Sequence, residues 1–507
     1  MITYFSIPIS VLAIAFMVLF TSCQTGSKKI EAIQRLTLEN ESYVSGQKKK
    51  FKQLKFDAPD DAFGYMLYDP STRQIVESKN EDKPFVPAST TKVLTSVAAL
   101  KILGPQFRFK TQVFYTGKIQ QNILQGDLYL KGGGDPSLFA SHLMSLVRGL
   151  SDHGIHQVVG NFYYDESEVI PQSMIWDMGD WSAPHNPGLG AISVDFNQFI
   201  LKWHTNQGSQ SILDVAVAPD FPVIDFALAD DKKSLEQSVI FEKSELIDRW
   251  LISPTVSSAG QQRLPVKHPS LLAAMLFSKL CQMNGIALRA PQSKIIPPKV
   301  TLLAVHQSAP LVDIVERVLE YSNNMMAELV LLAAARKVEG RPVTVERAAQ
   351  IVKKWLFQEV KATQWDNFKL ANGSGLTTSN QVTPSQMVSV LNYVDRFHFE
   401  DRSYESLLPI SGWKGTLANR LGVPEVAFRV WAKTGTMFYS SALAGYLYTL
   451  SGKRLIFAVM HSDPQKRELV DHYKDDLPSK IEEQANNWSK YVRQVQDSIL
   501  QSWILKY

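Results

Sequence analysis

The chain has 507 residues, 45% hydrophobic and 20% charged, with a formal net charge of +4 and two cysteines, Cys23 and Cys281. That composition is ordinary for a globular protein and excludes a globally disordered chain, and the length suits about three domains. So small a charge gives no ground for a nucleic-acid partner, and two cysteines so far apart do not make a disulfide framework.

In chain order, Ile7 to Phe20 is an almost uninterrupted apolar run. It is short of the about 20 residues that span a bilayer but suits the apolar region of a secretory signal. Phe20-Thr21-Ser22-Cys23 resembles a bacterial lipoprotein processing site, although Phe20 stands where Leu is usual and no Lys or Arg precedes the run. Residues 1–23 are therefore read as a signal. Lipidation of Cys23, ordinary cleavage and an uncleaved anchor stand as alternatives. Each puts the rest of the chain outside the cytoplasmic membrane, in the periplasm, with lipid at Cys23 as one route of membrane attachment. Residues 24–55, with Lys48, Lys49, Lys50, Lys52 and Lys55, read as a solvated basic linker.

Folded structure is expected from about Phe56. Phe63 to Tyr68 reads as a strand ended by Asp69-Pro70-Ser71. Val93, Leu94, Val97, Ala98, Leu100 and Leu103 recur at helical spacing, so a buried helix is expected from about Ser89. The middle, from about Gly104 to Lys299, is richer in Gly, Pro and short strand-like runs. Gly132-Gly133-Gly134-Asp135-Pro136 reads there as a tight structural turn, since the Gly-Lys-Ser/Thr of a phosphate loop does not follow. His153 and His156 have metal-like spacing without a third ligand, so surface histidines are expected. Cys281 lies in an apolar run and reads as a buried thiol. Leu311 to Ala335 predicts two helices broken near Tyr321-Ser322-Asn323-Asn324. Phe428 to Ala432, Ala442 to Leu450 and Arg454 to Val459 predict strands, with a hairpin turn at Ser451-Gly452. Residues 480–505 predict a helix. Helices flanking an antiparallel sheet make an α+β domain.

Three short motifs carry chemistry: Ser89-Thr90-Thr91-Lys92, Ser322-Asn323-Asn324 and Lys433-Thr434-Gly435, a set shared by penicillin-recognising enzymes. A serine hydroxyl is a poor nucleophile until a neighbour takes its proton. Ser89 and Lys92, three apart on a helix, share a face. Lysine serves as a base only when neutral, and burial beside a second cation such as Lys433 lowers its pKa. The helix N-terminus offers N–H groups to a developing oxyanion. Ser-x-x-Lys alone is unspecific, recurring at Ser45/Lys48 and Ser411/Lys414, but only Ser89 opens an apolar-periodic helix.

The surrounding residues narrow this further. They include Pro87-Ala88-Ser89, Gly126-Asp127-Leu128-Tyr129-Leu130, Ser182-Ala183-Pro184, Ser308-Ala309-Pro310-Leu311, Ala327-Glu328, Gly373-Ser374-Gly375-Leu376, Pro409-Ile410-Ser411-Gly412 and Gly415-Thr416-Leu417. With them, from about Tyr65 to the C-terminus, the sequence resembles the class C low-molecular-mass penicillin-binding proteins, the D-alanyl-D-alanine carboxypeptidase/endopeptidase family. More than two hundred residues separate Lys92 from Ser322, which matches that family's inserted domains and exceeds the interval in β-lactamases. Asn372 and Thr377 stand where many members have Asp and Ser.

The resemblance implies a penicillin-binding transpeptidase-like α+β fold, with a peptidase domain of residues 56–103 and 305–507 and β-rich insertion of residues 104–304. It implies a serine peptidase acting on peptidoglycan stem peptides and cross-links through an acyl-enzyme, inhibited by β-lactams, with no cofactor and no metal. Ser89 would be the acylated nucleophile, Lys92 its general base, and Ser322 the proton relay to the leaving D-alanine. Asn324 would bond the substrate backbone. Lys433 would supply charge, Thr434 and Thr436 would receive the terminal carboxylate, and the N–H groups of Ser89 and Thr436 would form the oxyanion hole. Asp177, Asp180 and Trp181 lie where some relatives recognise the stem-peptide diamino acid, and a plain surface loop remains the alternative. A wall-binding protein without catalysis is a rival of another class, against which the intact motif residues argue.

Overall fold

The computed structural model describes residues 60–177, 181–205, 213–218, 224–228, 239–242, 248–253, 259–361, 364–473 and 477–507. The expectations for the signal, Cys23, the basic linker and Asp180 lie outside the described residues.

The strands of the described chain begin with the hairpin of β1 (Phe63–Asp69) and β2 (Gln74–Lys79), followed by α1 (Thr91–Leu103). After the inserted region come α2 (Leu311–Tyr321), α3 (Asn324–Glu339), α4 (Val345–Glu359) and α5 (Pro384–Val394). Then follow β3 (Val430–Met437), β4 (Ser440–Tyr448), β5 (Arg454–Ser462), α6 (Pro464–Tyr473) and α7 (Ser479–Lys506). The strands pair antiparallel in the order β3-β4-β5-β1-β2.

Both faces of this sheet are covered, and the two-residue period of a strand decides which core each side chain enters. Met66, Ala444, Ile456, Ala458 and Met460 pack with Val93 and Val97 of α1, Leu331 of α3 and Leu391 of α5. Their neighbours Leu67, Leu443, Phe457 and Val459 pack instead with Val495, Ile499, Leu500 and Trp503 of α7. The expected α+β arrangement is present.

Element boundaries differ in instructive places. The helix expected from Ser89 is preceded by one 3-10 turn, Ala88–Thr90, so regular helix starts at Thr91. Strand β3 begins at Val430 rather than Phe428, whose φ of 62° is left-handed, and it runs on through Lys433-Thr434-Gly435. The helix pair at Leu311–Tyr321 and Asn324–Glu339 is broken where expected, by Ser322 at φ 56° and by Asn323, whose side chain accepts from Met326 N.

The middle of the chain builds sheets of its own. Five strands pair in the order Pro291–Ser293, Phe162–Asp165, Leu128–Lys131, Lys110–Tyr115 and Thr301–Gln307. Two three-stranded sheets lie within residues 198–265. Two helices, Ala140–Asp152 and Pro269–Met283, pack in the same core; the sequence reading found neither, although Leu143, Leu146, Val147 and Leu150 follow the helical period. The insertion leaves and returns side by side, Lys110 pairing with Gln307 and Ser308 N donating to Phe109 O at 3.0 Å. Val169, Ile175, Leu189 and Ala191 from this stretch nevertheless pack in the core beneath α1 and α3.

The glycine-rich run is a buried turn: a Cβ on Gly132 would lie 2.3 Å from Ala191 O, and one on Gly133 2.3 Å from Lys110 O. Asp135 Oδ1 accepts from Ser137 N at 2.8 Å. His153 and His156 are exposed. Cys281 is buried, which pushes its thiol up to about 12.

Candidate active site

Residues Pro87 to Thr91 make the nucleophile turn. Ala88 takes a left-handed φ of 45°, Thr90 N donates to Pro87 O at 3.1 Å, and Thr91 Oγ1 donates to Ala88 O at 2.8 Å. These contacts set Ser89 at the N-terminal end of α1. Strand β3 runs against the turn through Gly435, where a Cβ would lie 2.5 Å from Pro87 O and 3.0 Å from Ser89 N. Only hydrogen at that position allows such an approach.

Lys92, the second residue of α1, is fully buried. Its Nζ contacts Ser89 Oγ at 2.9 Å, Asn324 Oδ1 at 2.7 Å and Ser374 O at 2.7 Å. Burial, reinforced by the charge of Lys433 and opposed by that of Glu328, holds the amine well below the usual lysine range. Lys433 is also fully buried, and burial brings its ammonium down to about 7. Its Nζ donates to Ser322 Oγ at 2.9 Å and to Thr434 O at 2.8 Å. The nearby charge of Lys433 adds to burial in favouring the neutral form of Lys92.

The break between α2 and α3 is what delivers the second motif. Its left-handed residue is Ser322 itself, a backbone state that a β-substituted residue holds only under surrounding constraint. Asn324 is held at both ends of its amide: Oδ1 accepts from Lys92, and Nδ2 donates to His185 O at 2.9 Å. That carbonyl comes from the inserted region. Thr434 Oγ1 donates to Thr416 Oγ1 at 2.9 Å, and Thr436 stands exposed two residues along the same face of β3.

Direct contacts thus join Ser89, Lys92 and Asn324 in one group and Ser322 and Lys433 in another with Thr434 adjacent, and the charge of Lys433 acts on Lys92. Asp177 is exposed, and Trp181 stacks on Phe241 with centroids 5.4 Å apart and lies 5.4 Å from Lys267 Nζ. The segment they precede is the one that carries His185. Sequence reasoning gave no role to His185, Thr416, Ser374 or Glu328. Two of these act through backbone carbonyls, which no side-chain pattern reveals. Glu328 had a signal: it is one carboxylate within Met325-Met326-Ala327-Glu328-Leu329-Val330-Leu331, and a buried charge needs partners.

Residues 49–478 match the D-Ala-D-Ala carboxypeptidase 3 (S13) family. The chain belongs to this family. Among curated relatives, D-alanyl-D-alanine carboxypeptidase DacB of Haemophilus influenzae is 28% identical over 412 residues, covering 78% of this chain and 84% of its own. D-alanyl-D-alanine carboxypeptidase of Actinomadura sp. (strain R39) is 26% identical over 448 residues, with 80% and 79% covered. The crystal structure of penicillin binding protein 4 (dacB) from H. influenzae superposes with a TM-score of 0.74 at 27% identity, covering 92% of this chain and 99% of that one. The same protein has been crystallised in complex with a β-lactam (TM-score 0.67, 27% identity, coverage 83% and 92%). The S13 assignment agrees with the site: a serine beside a buried, pKa-lowered lysine is equipped for acyl transfer.

Proposed function

We propose that Ser89 is the acylated nucleophile, and Lys92 its general base, in hydrolysis of the terminal D-Ala-D-Ala bond of peptidoglycan stem peptides. Ser89 Oγ attacks the carbonyl of the penultimate D-alanine while its proton passes to neutral Lys92 Nζ. The oxyanion lies against the N–H groups of Ser89 and Thr436. The C–N bond then breaks, and the proton that Lys92 took from Ser89 is relayed through Ser322 to the leaving amine, which returns Lys92 to its neutral form and leaves the charge on Lys433. Thr434, Thr436 and the charge of Lys433 receive the terminal carboxylate, and Asn324 bonds the substrate backbone. Water attacks the resulting ester and frees Ser89. Cleavage of D-amino-acid cross-links is the same step with a longer leaving amine. A β-lactam presents a strained amide to the same serine, and its leaving nitrogen stays tethered, so its acyl-enzyme persists.

The observation that carries this reading is the 2.9 Å contact between Ser89 Oγ and the Nζ of a fully buried Lys92. Export to the periplasm, with Cys23 as a lipidation position, is proposed on the apolar run Ile7 to Phe20 and the residues after it. Among the described residues, no helix is long and apolar enough to cross a membrane. The test is labelling with a fluorescent penicillin, in which Ser89→Ala should abolish the label; undiminished labelling discards the nucleophile. Incubation with purified sacculi and mass analysis of released fragments then reports whether D-alanine, uncross-linked peptides or both appear.

A further inference from the structure

Glu328 is a fully buried carboxylate for which the acyl-transfer scheme has no use. It accepts from Gly373 N at 2.9 Å and from Ser374 N at 2.7 Å, one bond on each carboxylate oxygen. The next peptide group along, Ser374–Gly375, presents Ser374 O to Lys92 Nζ, so the clamp fixes the residue whose carbonyl Lys92 meets. Glu328 and Asn324 lie four apart on α3 and share a face. One helix face therefore governs both acceptors that Lys92 has besides Ser89.

The count of hydrogens gives this arrangement a consequence. An ammonium has three N–H groups, and Lys92 Nζ has three neighbours that accept. A neutral amine has two N–H groups and a lone pair. Asn324 Oδ1 and Ser374 O accept and do not donate, so they take the two N–H groups. The lone pair is then left to the one neighbour that can donate, the Ser89 hydroxyl. Were the Ser374 carbonyl to turn away, an N–H would point at Ser89 and the lone pair elsewhere, and the base would be misaimed.

We infer that Glu328 is a positioning residue for acylation, which aims the Lys92 lone pair at Ser89 by clamping the Gly373–Ser374 backbone. The inference rests on the assignment of Ser89 and Lys92 above. Among the described residues, the charged groups acting on Lys92 are Lys433 from β3 and Glu328 from α3. Glu328 opposes the lowering, so removing its charge makes Lys92 neutral at lower pH.

The experiment is the second-order rate of acylation by a fluorescent penicillin across pH 5 to 10, for wild type, Glu328→Gln and Glu328→Asp, with melting curves to establish folding. Glu328→Gln loses the charge and turns an N–H donor toward a backbone donor. Its ascending limb should move to lower pH and its plateau should fall by about tenfold or more, as expected for a misplaced catalytic group. Glu328→Asp keeps the charge but shortens the reach, so its plateau should fall while its limb stays near that of wild type. An unmoved limb in folded Glu328→Gln overturns the charge role. A full plateau in Glu328→Asp overturns the positioning role, and this variant decides the matter if Glu328→Gln does not fold. Labelling that survives Ser89→Ala would instead defeat the nucleophile assignment, whatever the Glu328 variants do.

Discussion

Lys433 sits between two demands: to meet a carboxylate it must be charged, yet burial brings its ammonium down to about 7. In the free enzyme, raising the pH past that value removes the charge from the carboxylate site. A bound carboxylate favours the charged form and raises the pKa in the complex. The profile of kcat/KM reports free-enzyme groups, and that of kcat reports groups in the complex. For a D-Ala-D-Ala peptide, kcat/KM should therefore begin to fall as pH rises through about 7, while kcat holds to higher pH. The acid side has the opposite sign, because Lys92 must lose its proton to work, and both profiles rise there. Lys433→Arg, whose guanidinium stays charged, should lose the alkaline fall in kcat/KM while working more slowly throughout, since the fork cannot reproduce the Nζ contacts to Ser322 and Thr434. Steady-state assays of D-alanine release check this. Superimposable kcat and kcat/KM profiles on the alkaline side would mean that carboxylate binding does not hold the proton on Lys433.

At the scale of elements, α7 closes the sheet face that α1, α3 and α5 leave open. Trp503 is its largest buried side chain, with its ring 5.5 Å from Tyr65 and 6.3 Å from Phe457. Truncating a buried aromatic of this kind costs about 3–5 kcal/mol. Trp503→Ala should lower the denaturation midpoint accordingly and leave the acylation rate of the folded protein unchanged, because Trp503 touches β1 and β5 rather than β3. Chemical denaturation and penicillin labelling of the same samples separate the two effects. The C-terminal helix was legible in the sequence because Val492, Val495, Ile499, Trp503 and Ile504 keep the helical period. The sheet strands were legible from their apolar runs, while their ends were not. Phe428 looks like strand, yet Phe428 N pairs with Ser411 O in a left-handed turn before β3 begins. The three motifs identified the acting side chains. What stayed hidden was the support: the carbonyls of His185 and Ser374 and the carboxylate of Glu328 come from distant segments and are joined only by the fold.

For the whole molecule, the inserted stretch invites being read as a detachable module, since its ends lie paired at Lys110 and Gln307. The packing argues otherwise. Val169, Ile175, Leu189 and Ala191 belong to the peptidase core, and Arg336 of α3 reaches Glu168. His185 O holds the Asn324 amide. Deleting residues 110–307 and joining the ends would remove Ile175 and Leu189 together, where losing one such side chain costs about 2–5 kcal/mol. A domain has about 5–15 kcal/mol in all. Such a shortened chain should give little soluble protein, and the soluble fraction should fail to acylate with fluorescent penicillin. A full-length Val169→Ala/Leu189→Ala variant should show the same weakness by degrees, with a lower melting temperature but a correctly folded insertion. Were the shortened chain to acylate at the wild-type rate, the peptidase would be self-sufficient and His185 would be dispensable to the aim of Asn324. If it folds yet acylates slowly, the core contacts are tolerated losses and the catalytic dependence lies in what the insertion brings to the site, the His185 bond to Asn324 included.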